Sequence, residues 1–250
     1  MTAKARRGFW RRHGWPVCAL WLAALGAAAR ADEFTVGVEE VDYAPIMSVV
    51  DGRYDGYAFE LLEMFARSQG HRFTYRPLPV KRLVPYLVDG GIDLAFPDNP
   101  NWRGDVKRGH QLHYSEPMVP FQDVVFVRPE RVGLPLKHLG VVRGFTPKRF
   151  QQQVDAGNLV VIEATAPSNL IQMTLSGRVD GVALAAPVGR YQLHQIGRDQ
   201  ALQPAPGLSG RFELHYRLST LRHPKLIEQF NDFLKAEAAA ILALQKRYGL

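Results

Sequence analysis

The side chains able to do chemistry in this 250-residue chain are scattered and fall into none of the familiar catalytic spacings. No Gly-x-Ser-x-Gly turn, phosphate-cradling loop or His-Glu-x-x-His pair is present, so nucleophile, nucleotide and zinc-protease chemistries have no local signature. His110, His113 and Glu116 come nearest to a metal set. One i, i+3 pair and a single carboxylate read as a solvated loop, and no metal, cofactor or catalytic residue is expected. What remains are isolated polar groups at the ends of elements. Phe96, Asp98 and Asn99 follow a short apolar strand, and open α/β sheets bind ligands at the carboxyl ends of their strands. Gly144-Phe145-Thr146-Pro147 reads as a strand-to-helix loop, with Thr146 as N-cap and Pro147 in the first turn. Free N–H groups at a helix start favour an anion, so Thr146 either only caps its helix or also helps to hold a carboxylate. Arg143 beside it adds a cation.

The elements that must position these groups alternate between strand and helix. Residues 34–38 form a short β-branched strand, and residues 58–68 a helix with Phe59, Leu62 and Phe65 on one stripe, stopped at Gly70. A strand over 72–77, a helix over 80–88 and a strand over 92–96 complete a βαβαβ run, which implies a parallel sheet covered by helices. The phrase Val88-Asp89-Gly90-Gly91-Ile92-Asp93-Leu94 returns as Leu175-Ser176-Gly177-Arg178-Val179-Asp180-Gly181. In each, a helix ends, a glycine turns the chain, and an apolar-Asp pair opens a buried strand. The spacing suits two similar α/β lobes, the second with strands at 139–142 and 158–162 and a helix from 147 to about 154. Residues 121–127 read as a crossing strand, and a return crossing is expected over 211–218. Two helices, over 224–235 and 238–248, close the chain. The lobes are expected at 32–123 with 214–250 and at 128–209, with hinges near 124–127 and 210–213. Two lobes with two crossovers make a cleft, the ordinary place for a small ligand.

The net charge of +7 invites a nucleic-acid reading. Lys4, Arg6, Arg7, Arg11, Arg12 and Arg30 supply six of the 31 basic groups, and residues 1–31 hold no acid. The remaining chain carries 25 Lys and Arg against 24 Asp and Glu, so no nucleic-acid partner is expected. Residues 6–13 are positive, 16–29 apolar, and Ala29 and Ala31 supply small residues three and one positions before a cut that precedes Asp32. This is the layout of a secretory signal peptide, cleaved near Ala31, with an apolar run shorter than the ~20 residues of a spanning helix. Arg6-Arg7 leaves general and twin-arginine export both open. The single cysteine, Cys18, lies in this segment, so the exported chain has no thiol chemistry. The expected compartment is the periplasm.

Several phrases taken together resemble the bacterial extracellular solute-binding proteins of family 3, which are type II periplasmic binding proteins that include amino-acid receptors of ABC transporters. They are Tyr43-Ala44-Pro45, Asp51-Gly52, Gly56 to Leu62, Leu87 to Asp93, Tyr114-Ser115-Glu116-Pro117, Ser176 to Asp180 and Arg247-Tyr248-Gly249. Their order and spacing over 32–250 carry the resemblance. It implies two lobes, each a mainly parallel sheet flanked by helices, joined by two hinge crossovers. It also implies a monomer that closes on a small polar, carboxylate-bearing metabolite and delivers it to an inner-membrane ABC permease. By the same resemblance Tyr43 covers the ligand, and Arg103, after Asn99-Pro100-Asn101-Trp102, clamps its carboxylate. Amino-acid binders of the family hold the ligand ammonium with an acid at the position where Ala185 stands here. Either another acid (Asp98, Glu40 or Glu163) replaces it, or the ligand is not an ordinary amino acid. A sensory domain without transport is the alternative function. A secreted cyclohexadienyl-dehydratase-like enzyme, with Asp98 or Glu163 as general acid, is a further one.

Overall fold

The computed structural model describes residues 1–2, 32–208 and 213–250, without the side chains of residues 120–122, 213 and 214. The export segment and nearly all of the expected crossover at 210–213 lie outside the described residues. From Ala31 to Leu250 the chain is one compact unit.

The first half runs β1 (Glu33–Glu39), β2 (Ser48–Val50), β3 (Arg53–Asp55), α1 (Tyr57–Gln69), β4 (Arg72–Leu78), α2 (Val80–Val88), β5 (Leu94–Asp98), α3 (Gly104–Lys107), β6 (His113–Tyr114) and β7 (Val119–Val127). There follow β8 (His138–Val142), α4 (Gln151–Asp155), β9 (Val160–Ala164), α5 (Pro167–Leu175), β10 (Gly181–Ala185), α6 (Ala186–Gln195), β11 (Gln203–Pro204), β12 (Glu213–Thr220), α7 (Pro224–Ala236) and α8 (Ala238–Arg247). The main sheet is ordered β4-β1-β5-β12-β7-β10-β8-β9. Its two ends, β4-β1-β5 and β10-β8-β9, are parallel. The two middle strands, β12 and β7, are antiparallel to each other and to their outer neighbours. Two βαβ blocks therefore meet at a pair of long crossing strands. The short strand pair β2-β3 stands apart.

Burial explains why these segments hold. α1 buries Leu61, Leu62 and Phe65 and stops at Gly70, whose φ of 70° is left-handed. Phe65 packs on Phe230 and Phe233 of α7, with ring centroids 4.9 and 5.4 Å away, so the C-terminal helices complete the first block. α6 lies close against β7, because a Cβ on Gly189 would stand 2.0 Å from the Phe126 ring. No described helix is long and apolar enough to cross a membrane.

Several expected boundaries shift, among them 158–162, which is β9, Val160–Ala164. The strand expected at 92–96 is β5, Leu94–Asp98, because Asp93 turns its carboxylate to the Thr35 N–H and so precedes the ladder. The helix expected from 147 is a 3₁₀ turn, Lys148–Phe150, followed by α4. Thr146 does not cap it. Its carbonyl accepts from the Lys148 N–H at 2.8 Å, and no side chain bonds the helix start.

Candidate functional site

The carboxyl ends of β1 and β5 lie side by side, since Val38 is in register with Phe96. Each delivers one acid to the junction with the second block. Asp98 is fully buried and its carboxylate is surrounded by donors: Lys107 Nζ at 2.6 Å, Ser219 Oγ at 2.7 Å and the Asn99 N–H at 2.7 Å. Burial pushes Asp98 up and Lys107 down, each against the pull of the other. Lys107 also donates to the Asn99 carbonyl at 2.7 Å. The Asn99 side chain donates to the His215 carbonyl, tying β5 to β12.

Glu39 ends β1 and is only 5% exposed. Its Oε2 has no hydrogen-bond partner among the described residues. Burial first, and then the charge of Asp98, push its carboxyl up to about 8. Tyr54, whose buried hydroxyl is also without a partner, feels the Glu39 charge.

Tyr43 joins the two blocks. It is 1% exposed, and its hydroxyl accepts the Ala185 N–H at 2.9 Å. It also hydrogen-bonds the Tyr216 hydroxyl. The Phe145 ring sits 5.3 Å from the Tyr43 ring, and Tyr216 packs edge-on to Trp102 at 5.6 Å and Phe96 at 6.2 Å. Burial takes both tyrosines far above the usual phenol range. Asp123 stands opposite Ala185 in the β7–β10 ladder. It is reachable by solvent yet hemmed in by protein, and that loss of hydration pushes its carboxyl up to about 6.

The junction thus brings together Tyr43, Phe96, Asp98, Asn99 and Ala185 from the residues singled out in sequence. Arg103 stands aside. Its φ of 50° is left-handed, and its guanidinium grips Asp105 at 3.1 and 3.0 Å and donates to the Lys81 carbonyl at 2.9 Å. It therefore braces α3 against α2, and α3 in turn carries Lys107 to Asp98. Arg143 and Thr146 are exposed, as are Glu40 and Glu163. Beside Arg143, Gly144 (φ 93°) approaches α2, with an added Cβ 2.9 Å from the Val80 Cβ. Lys148 donates to the Asn101 carbonyl across the same gap.

Glu39, Asp123, Tyr216, Trp102 and Phe145 were missed as site residues. A signal existed for Asp123, a lone acid inside the apolar run 121–127. For Glu39 the signal was weaker, since two successive acids close β1 and only the pleat decides which faces inward.

A two-lobed α/β fold, with two βαβ blocks meeting at a pair of crossing strands, is the class that this topology defines. Residues 34–249 match the bacterial extracellular solute-binding proteins, family 3, and the chain belongs to that family. Its architecture is that of the type II periplasmic binding proteins. An ancestral arginine-binding protein bound to arginine is similar at a TM-score of 0.70 and 18% identity, over 86% of this chain and 97% of that one. A histidine kinase sensor domain with similarity to periplasmic binding proteins is similar at 0.69 and 18%, over 88% and 96%. An ancestral amino-acid-binding protein, a precursor of cyclohexadienyl dehydratase, is similar at 0.67 and 18%, over 86% and 94%. No curated protein sequence matches the chain.

Proposed function

We propose that the protein is an exported, monomeric periplasmic receptor that captures a small polar metabolite, an amino acid or related organic acid, for an ABC permease. The lobes, 32–123 with 214–250 and 128–209, close over the ligand about the crossing strands. The bond from Ala185 N–H to the Tyr43 hydroxyl carries this reading, because it joins the first parallel block to the second at the carboxyl end of β10. A ligand that touches both blocks favours the closed state by the contacts made only there. Arg143 is an exposed cation for a ligand carboxylate, and Arg103 would have to release Asp105 to serve as one.

The test is a thermal-shift screen after unfolding and refolding to remove carried-over ligand. The panel holds amino acids, their deaminated acids, polyamines, small peptides and aromatic acids. A ligand at 100 times its Kd adds about 2.7 kcal/mol, which raises the midpoint of a chain this size by about 5–10 °C. Silence across the panel would remove the receptor reading.

One observation favours a second reading. A cleft carboxyl that keeps its proton at neutral pH, as Glu39 does, has the property a general acid needs. Asp98, whose carboxylate is enclosed by Lys107 and Ser219, has no open position for that role. Turnover of prephenate or arogenate by the purified protein, abolished in Glu39→Gln, would replace the receptor reading with a dehydratase.

A further inference from the structure

Along β7, Asp123 shares its face of the strand with Val125 and Val127, which are buried against Leu139, Val141 and Phe150. An acid at the end of such a face loses hydration, and Asp123 gains neither a hydrogen bond nor a counter-charge among the described residues. Its charge acts on the hydroxyls of Tyr43 and Tyr216. Glu39 acts on the same two hydroxyls from β1, with its Oε2 unpartnered and more than nine-tenths buried. Two acids therefore flank one pair of tyrosines, and the nearby cation Lys107 is already committed to Asp98. An unpaired carboxylate that solvent can reach at the meeting of two lobes is poised for a cation arriving from outside.

Resting on the receptor reading above, we infer that Asp123 holds the cationic group of the ligand, an ammonium or guanidinium, against the Tyr43–Tyr216 pair, with the neutral Glu39 carboxyl as a second hydrogen-bond acceptor. Asp123 lies directly across the ladder from Ala185, so one strand supplies the carboxylate that the neighbouring strand lacks.

Calorimetry on the full chain at pH 7.5 tests this with four probes. L-arginine carries two cations, L-glutamine an ammonium alone, putrescine ammonium groups without a carboxylate, and glutarate no cation. At least one cationic probe should bind more tightly than glutarate. Asp123→Asn, which keeps the side chain's size, should weaken that probe at least tenfold without lowering the ligand-free thermal midpoint. Comparing arginine with glutamine tells whether the guanidinium or the ammonium is the group held. Val125→Ala, on the same strand, should lower the midpoint and leave the order of the probes unchanged. Binding within twofold of wild type in Asp123→Asn would overturn the inference. Binding of glutarate alone would overturn it and leave the receptor standing. Silence of all four would also overturn it, and the receptor reading falls only if the broader panel is silent too.

Discussion

Glu39 is the residue whose environment departs furthest from what its sequence position announces. Its carboxyl keeps a proton up to about pH 8 in the folded chain, against an ordinary value of 4.5. Between those values the folded state holds a proton that the unfolded state has released. Stability from this group is therefore greatest below pH 4.5 and falls as pH rises through about 8. Burial sets this first and the charge of Asp98 on β5 adds to it, while Tyr54 on β3, Tyr43 after β1 and Tyr216 on β12 are the titratable groups that feel Glu39. Asp123, also raised, contributes with the same sign up to about pH 6. Glu39→Gln removes the titration and keeps the size. At pH 8.5 it should be more stable than wild type by about 3–4 kcal/mol, and near pH 4.5 the two should coincide. Urea melts across that range check this, and parallel curves for the two proteins would defeat it. Tyr43 and Asp98 were legible because one sits in a recognisable phrase and the other closes an apolar strand. The inward turn of Glu39 was not legible, because Glu39-Glu40 presents two adjacent acids and only the sheet's register buries the first.

At the scale of elements, the repeated phrase found in the sequence has a shared physical use. Asp93 accepts the Thr35 N–H of β1 at 2.9 Å just before β5 begins. Asp180 accepts the Lys137 and His138 N–H groups at 2.7 and 2.9 Å just before β10 begins. In each lobe an aspartate fastens the start of one parallel strand to its neighbour. Burial alone would raise both carboxyls and is the largest single effect, but these N–H groups and the charged neighbours together outweigh it and hold them below the usual carboxylate range. Arg222 and His223 assist at Asp93, and Arg131 and His138 at Asp180. Their stabilisation is present above pH 4 and is lost as pH falls through the lowered values. Asp93→Asn and Asp180→Asn should each cost about 1–2 kcal/mol at pH 7, with nearly additive effects in the double variant. Near pH 2 the penalty should vanish. Chemical denaturation at the two pH values decides it, and a penalty that persists in acid would show that shape, not charge, is what the aspartates supply. Helix spans over 57–88 were readable from apolar spacing, whereas the start of α4 was not. Thr146-Pro147 has the composition of a cap, and the 3₁₀ turn that follows uses the Thr146 carbonyl instead.

The whole molecule was legible as two blocks and two crossings because each block repeats a short local grammar. Which side chains meet between the blocks was not, since that depends on how closely they approach. Four contacts described above mark the approach: Tyr43 to Ala185 N–H, the Phe145 ring on Tyr43, Lys148 to the Asn101 carbonyl, and Gly144 against Val80. Gly144 offers the cleanest test, because it touches neither the acids nor the tyrosines named above. Its φ of 93° strains any other residue whether the lobes are together or apart. The 2.9 Å approach of an added Cβ to the Val80 Cβ exists only when they are together. Gly144→Ala should therefore shift the population toward the open form, seen as a larger radius of gyration in solution scattering. Ligand affinity should weaken about tenfold, for a loss of ~1.4 kcal/mol in closure, because affinity scales with the fraction able to close. Adding Val80→Gly removes the obstructing atom. If the double variant recovers compactness and affinity while keeping the small stability loss of Gly144→Ala, closure is the step the contact controls. If Gly144→Ala stays compact and binds normally, the two blocks do not separate at this seam, and the hinge about β7 and β12 has to be given up.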